Sequence, residues 1–345
     1  MKDRLLEKAS ALGFDDLRIT SAAPPTSASA FERWIAEGKH GSMGWLERNA
    51  WKRVDPRAVL QEAQSIISLA ISYGRSDQER ADSQSGVVAR YARSNDYHDV
   101  LAEPLEALTR FHLSLAEEPE AKALWYVDTG PFLERDLAQR AGLGFVGKHT
   151  GLISRRLGNW FFIAEIISTV RLEPDASEEN HCGKCRRCLD ACPTGALEAP
   201  FSMDARKCIS YLTIELKTAI PEPYRRAIGN RIYGCDDCLE VCPWNRFAQE
   251  SRLLKNAYRE DLNGPALRAL LSLDDKGFRD RFRGTPLKRT KRRGILRNVC
   301  VALGNVGGVD DLPALEIAAQ DAEPLIAEHA RWAIREIKAR KSTSP

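Results

Sequence analysis

Long apolar runs are missing from this chain of 345 residues: no window approaches eighteen uncharged apolar residues, so nothing reads as a membrane span. The N-terminal stretch, Met1–Phe14, also lacks an apolar signal core, a twin arginine and a cleavage site; it is charged and amphipathic. The expectation is a cytoplasmic protein whose thiols stay reduced, which argues against disulfides. Charge imbalance is small too. A formal net charge of +3 would not by itself suggest nucleic acid. With 43% hydrophobic and 29% charged residues, the composition is that of an ordinary globular protein with room for two or three domains.

Cysteine is what the chain has in quantity, and eight of its nine fall within residues 182–243. The first run is Cys182-Gly-Lys-Cys185-Arg-Arg-Cys188-Leu-Asp-Ala-Cys192-Pro193, a C-x2-C-x2-C-x3-C-P pattern. Cys235, Cys238 and Cys242-Pro243 repeat its second half, and a detached Cys208 supplies a fourth thiol. In the bacterial ferredoxin pattern three cysteines wrap one cluster while the fourth, beyond a three-residue step, ligates the neighbouring cluster. Two 4Fe–4S cubanes would therefore be held by Cys182, Cys185, Cys188 and Cys242, and by Cys192, Cys208, Cys235 and Cys238. Zinc sites come as separated C-x2-C pairs with longer spacers and fit this doubled triplet poorly.

Taken in order, residues 1–13 predict a helix stopped by Gly13, and Leu17–Ile19 a short strand. A capped helix carrying Phe31, Trp34 and Ile35 follows, then a glycine-rich loop and a helix over Trp45–Arg53. Ser65–Tyr73 predicts a strand buried on both faces. Residues 98–117 predict a long helix, Leu124–Asp128 a strand, and Pro131–Ala141 a helix opened by its proline. Trp160–Val170 predicts a further strand, and Leu172–Asn180 a polar linker. From Pro286 to Ile337 apolar residues recur in helical pairs that resemble HEAT-type repeats, with Cys300 on a core face. The class expected is α+β, divided as 1–175, 176–250 (the ferredoxin-like two-cluster module) and 251–345. Within the last part, Arg279–Arg297 crowds Arg and Lys around a single acid, Asp280. That run predicts a phosphate-binding surface, against the simpler reading of a solvated helix face.

Three motifs tempt and fail. Gly142-Leu-Gly-Phe-Val-Gly147 satisfies G-x-G-x-x-G and, with Lys148, nearly a P-loop, but both need a strand before and a helix after. Asp128-Thr-Gly130 is the triplet of aspartic proteases, yet no second copy exists to share the proton. Asp96-Tyr-His98 begins like the cobalt-ligating D-x-H-x-x-G motif and lacks its glycine. Asp128 remains of interest through its place at the exit of a strand beside a glycine loop. If buried, it would hold a proton at neutral pH and act as a general acid; the alternative is a helix N-cap carboxylate.

Asp128-Thr-Gly-Pro-Phe-Leu-Glu-Arg135 fits a D-[ST]-x-P-x-x-E-R signature. Together with the doubled cysteine pattern, Gly142–Lys148 and the C-terminal repeats, it makes the whole chain resemble the epoxyqueuosine reductase family. The resemblance implies a nitroreductase-like cobalamin-binding N-terminal domain, two 4Fe–4S clusters and a HEAT-like tail that grips tRNA. It implies reduction of the epoxide of epoxyqueuosine at the wobble position of a tRNA anticodon stem-loop, with Asp128 as proton donor. Cobalamin contacts are expected from Arg57, Tyr97, Asp128, Lys148, Thr150, Ser154 and Trp160. Contacts to tRNA are expected from Lys288, Arg289, Lys291, Arg292, Arg293 and Arg297. A monomer served by a ferredoxin or flavodoxin completes the picture. A cobalamin-dependent reductive dehalogenase is the alternative, although the basic tail would have no use there.

Overall fold

A computed structural model describes residues 1–75 and 85–343. Helix α1 (Lys2–Ala11) runs into strand β1 (Asp16–Ser21), with Gly13 at φ +96° making the turn between them. Strand β2 (Ser65–Ser72), helix α2 (Tyr97–Ser114), strand β3 (Ala123–Val127), helix α3 (Glu134–Arg140) and strand β4 (Phe161–Ser168) follow. The four strands form one antiparallel sheet in the order β1–β2–β4–β3.

β2 is buried at every residue, as its unbroken apolar run predicts. The period of two sorts its side chains. Ile67, Leu69 and Ile71 pack with Leu5, Leu101, Leu105 and Leu108 from α1 and α2, while Ile66 and Ala70 meet Leu137 and Ala138 of α3 on the other face. Each fully buried Ile or Leu contributes about 1.5–3 kcal/mol. The fully antiparallel pairing agrees with an α+β arrangement.

Two helical expectations need correction. The predicted Trp45–Arg53 helix is two short helices, Gly44–Arg48 and Ala50–Arg53, separated at Asn49. The helix placed from Pro131 begins only at Glu134. Pro131 is compatible with a helix start but does not impose one, and Gly130–Leu133 instead form a loop whose Phe132 is sunk among Ile66, Leu137 and Ile167.

After the linker the cysteine region is mostly irregular, with one-turn helices at Arg187–Asp190 and Asp237–Glu240. The C-terminal part ends in α4 (Lys291–Val306), α5 (Leu312–Ala318) and α6 (Pro324–Thr343). Its core is shared with Ile209, Ile214, Ile220, Ile228, Ile232 and Tyr233 from between the cysteine runs. Val87–Val88 also pairs in parallel with Arg231–Tyr233, so the parts are laced together. Cys300 lies fully buried in that core, as its apolar face predicts, and burial pushes its thiol up.

Candidate active site

Four of the eight clustered thiols share one cavity. Cys182, Cys185, Cys188 and Cys242 together line a cavity of about 70 Å³, roofed by His181 and Trp244. The Cys242 sulfur is thus carried to the first run's triplet, as the crossed assignment requires. Cys208 and Cys192 are electrostatic neighbours of Cys238, and Cys238 of Cys235. Burial pushes the thiols of Cys182, Cys188, Cys208, Cys235 and Cys238 up. Among the described residues no three Cys, His, Asp or Glu side chains close on a point as around a single metal ion. The thiols ring a space, the arrangement that suits a multi-iron cube. Lys148 braces the first group by donating from Nζ to the carbonyls of Gly183 and Cys185, at 2.7 and 2.8 Å.

A larger cavity, about 770 Å³, opens between the sheet domain and the C-terminal part. Its wall includes Tyr97 and Asp128 on one side, Cys208 and Tyr211 on another, and Lys288, Arg289 and Lys291 on a third. Asp128 stands at the exit of β3 with φ +58°, a left-handed conformation a non-glycine residue adopts at a cost of order 1 kcal/mol. The Tyr97 hydroxyl, at the first turn of α2, donates to Asp128 Oδ2 at 2.6 Å. Tyr97 is itself buried between Phe162 and His98, with ring centroids 4.2 Å away in each case. Burial, reinforced by the Asp128 charge, pushes its phenol far up, so it stays a donor. His98 gives Nδ1 to Asp96 at 2.7 Å, and that bond raises its pKa; its Nε2 is buried without a partner among the described residues.

Asp128 itself is exposed to the cavity, so the condition of burial set for it as a general acid is not met, and no helix starts behind it to be capped. Its carboxylic neighbour Glu134 is pushed up to about 8, by burial first and the Asp128 charge second. Glu134 figured in the sequence only as part of the 128–135 signature, with no role assigned, and Glu165 and Arg53 were missed. Glu165, in the interior of β4 beside Ser68, is 1% exposed, and burial pushes it well up. Arg53 is buried against the Asp128 loop.

The other expected contacts scatter. Of those assigned to cobalamin, Tyr97 and Asp128 meet in the large cavity; Lys148 lies at the cysteine cavity. Arg57 is exposed beside Pro56, Thr150 takes φ +67° in a tight turn, Ser154 closes a bridge with Gly158, and Trp160 lies under the Arg90 guanidinium at 4.1 Å. Of the basic set, Lys288, Arg289, Lys291 and Arg293 are exposed, with Arg289 paired to Glu215 at 2.8 Å. Arg292 is tied to Asp321 at 2.6 Å. Arg297 is a correction: it is fully buried, and its guanidinium donates to the carbonyls of Leu212, Leu216 and Thr218. It cannot reach a phosphate.

Four thiols around one small cavity, and a fifth cysteine at the wall of the larger one, define an iron–sulfur redox enzyme. Residues 181–245 match the 4Fe-4S double cluster binding domain, and residues 53–129 match the family described as epoxyqueuosine reductase QueG, DUF1730. An epoxyqueuosine reductase of Xanthomonas campestris pv. campestris is 40% identical over 342 residues, 96% of this chain and 94% of its own, and the chain belongs to the epoxyqueuosine reductase family. The Escherichia coli K12 enzyme of that name is 38% identical over 332 residues, covering 94% of this chain and 86% of its own. Among solved structures, an epoxyqueuosine reductase with an epoxyqueuosine-modified tRNA-Tyr stem loop superposes with a TM-score of 0.88 at 34% identity, over 97% of this chain and 90% of that one. A Bacillus subtilis epoxyqueuosine reductase, whose aspartate-bearing catalytic loop is swung out of the active site, gives 0.87 at 33% identity with the same coverage of 97% and 90%.

Proposed function

We propose that this protein reduces the epoxide of epoxyqueuosine in a tRNA anticodon stem-loop to the alkene. The balance is two electrons and two protons in, one water out. The observation that carries the reading is the large cavity, which brings a carboxylate (Asp128), a cluster-ligand cysteine (Cys208) and three cations (Lys288, Arg289, Lys291) onto one space. The relative solved with its modified stem loop supports the same substrate.

The chain's own residues have separable tasks. The eight cysteines hold two 4Fe–4S clusters, through which electrons arrive one at a time. Lys288, Arg289 and Lys291 meet backbone phosphates, giving affinity that falls with salt. Tyr97 occupies Oδ2 of Asp128, which leaves Oδ1 open to the cavity to take up a proton from solvent and pass it to the departing epoxide oxygen. The catalytic aspartate loop of the Bacillus subtilis relative supports this role for Asp128.

Cobalamin is the cofactor this reading assigns to the same space. The cavity is large, is walled by Met43, Met203, Tyr97 and Tyr211, and has the unpartnered His98 Nε2 at its side. These residues with Asp128 would hold it, and when bound it supplies the cobalt-centred chemistry that carbon–oxygen cleavage demands. A nitroreductase-like first part, HEAT-like helices over 251–345 and the division at 175 and 250 belong to this reading. So do a monomeric state, a cytoplasmic setting and a small ferredoxin or flavodoxin donor. No helix among the described residues is long and apolar enough to cross a membrane. Incubation with epoxyqueuosine-containing tRNA, cobalamin and a chemical reductant, read by nucleoside analysis, tests the reading: queuosine should accumulate, and unchanged epoxyqueuosine would refute it.

A further inference from the structure

The loop that presents Asp128 has little holding it from within. Within residues 128–132 the one backbone–backbone hydrogen bond among the described residues runs from the Thr129 N–H to the Val127 carbonyl at 2.6 Å. Asp128 is left-handed, and Gly130 is pressed so close to Tyr126 and Phe132 that a Cβ there would fall 2.7 Å from the Phe132 ring. The loop is anchored to the rest of the molecule at three points. Phe132 is sunk in the apolar cluster beneath it, Tyr97 grips the Asp128 carboxylate, and the third anchor is Arg53.

Arg53 ends the Ala50–Arg53 helix and is 8% exposed. Its Nη1 donates to the Phe132 carbonyl at 3.0 Å and, at a longer 3.4 Å, to the Gly130 carbonyl. The guanidinium lies 5.4 Å from the Trp45 ring centre and feels the charges of Glu134 and Asp128 on either side of the loop. Its Nε is buried without a partner among the described residues. A buried cation spent on two loop carbonyls is an expensive way to fasten a turn, because a desolvated charge must recover its hydration from few bonds. It is intelligible when the turn must be held in one of two positions. In the Bacillus subtilis relative the catalytic loop is found swung out.

We propose that Arg53 is the latch of the Asp128 loop. By holding the Gly130 and Phe132 carbonyls it keeps Asp128 facing the cavity, and release of these bonds is what frees the loop to swing out. Arg53 touches neither substrate nor reacting atoms in this account; it is a positioning residue, and the proposal rests on the reading of Asp128 as proton donor.

The test compares full-length, cluster-loaded wild type with Arg53→Met and Arg53→Lys. Two readouts are taken: steady-state turnover of epoxyqueuosine tRNA, and hydrogen exchange of peptides spanning residues 124–137. For Arg53→Met the expectation is a fall in kcat of tenfold or more, KM and cluster absorbance within twofold of wild type, and faster exchange confined to the loop peptides. Arg53→Lys, which keeps the charge and one donor, should recover much of both. Unchanged loop exchange in Arg53→Met overturns the latch, and so does a rise in KM at constant kcat. Should Arg53→Met fail to fold, Arg53→Lys decides alone: it must still show faster loop exchange than wild type. Should wild type itself reduce no epoxyqueuosine, the function proposed above fails, and the exchange comparison still decides the latch.

Discussion

The Tyr97 hydroxyl reaches Asp128 Oδ2 across 2.6 Å, joining the first turn of one helix to the end of a strand 31 residues later. This contact fixes which oxygen of the exposed carboxylate is engaged and which is free to serve. Asp128→Asn keeps the shape and removes the transferable proton, so turnover should fall by roughly 10²–10⁴-fold with cluster absorbance unchanged. Tyr97→Phe deletes a hydrogen bond to a charged group, worth about 1.5–3 kcal/mol, and should slow turnover by roughly ten- to hundredfold. Steady-state kinetics on both variants checks this; a Tyr97→Phe enzyme of wild-type kcat would detach Tyr97 from the chemistry.

Glu134 makes stability depend on pH. Its carboxyl is raised from about 4.5 in the unfolded chain to about 8 in the fold. The folded state therefore binds the proton more tightly than the unfolded state between those values. The stabilisation is complete below about 4.5 and is lost as pH rises through about 8, so stability contributed here declines with pH over that window. Asp128, Arg135 and Arg53 face Glu134, and Glu165 is coupled to it from β4. Glu134→Gln, neutral at every pH, should flatten the decline; denaturant midpoints at pH 5, 7 and 8.5 measure it, and an unchanged slope would assign it elsewhere.

The basic run divides into binding and structural residues. Lys288→Glu or Lys291→Glu should weaken tRNA binding and lower the salt slope by about one per lost phosphate contact. Arg297→Met should instead strand the buried carbonyls of Leu212, Leu216 and Thr218 and cost about 3 kcal/mol of stability. Filter binding across a salt series, paired with thermal unfolding, separates the two. An Arg297→Met protein of full stability and altered salt slope would reverse the assignment.

Crossed ligation predicts a particular pattern of iron loss. Cys182→Ser and Cys242→Ser strike the same quartet, so the double variant should lose no more iron than either single one. Cys182→Ser with Cys192→Ser, neighbours in one run, should lose both clusters. Iron analysis with low-temperature EPR of the reduced protein distinguishes this from ligation run by run, which would give the opposite pairing.

How much of this was legible beforehand depends on the kind of constraint. Thiol spacing is short-range geometry, so the two cysteine runs announced an iron–sulfur module, and Cys242 lines the Cys182 cavity. The β2 run announced a doubly covered strand. Orientation was not legible. Arg297 belongs to a basic run in sequence, but the α4 face it occupies turns inward onto carbonyls of residues 212–218. Pro131 permits a helix that the burial of Phe132 overrides, and Asp128, whose burial the sequence left open, faces the cavity. Arg53 and Glu165 gave no signal, because a single charge among apolar neighbours reads as a surface residue until packing closes over it.

The central claim is that the Asp128 cavity is where epoxyqueuosine is reduced. The most direct measurement is single-turnover conversion of epoxyqueuosine tRNA by reduced, cobalamin-supplied wild type and Asp128→Asn, followed by nucleoside analysis. The account predicts queuosine from wild type at one equivalent per enzyme, and essentially none from Asp128→Asn despite equal tRNA binding and equal cluster content. Equal yields and rates from both proteins would contradict it.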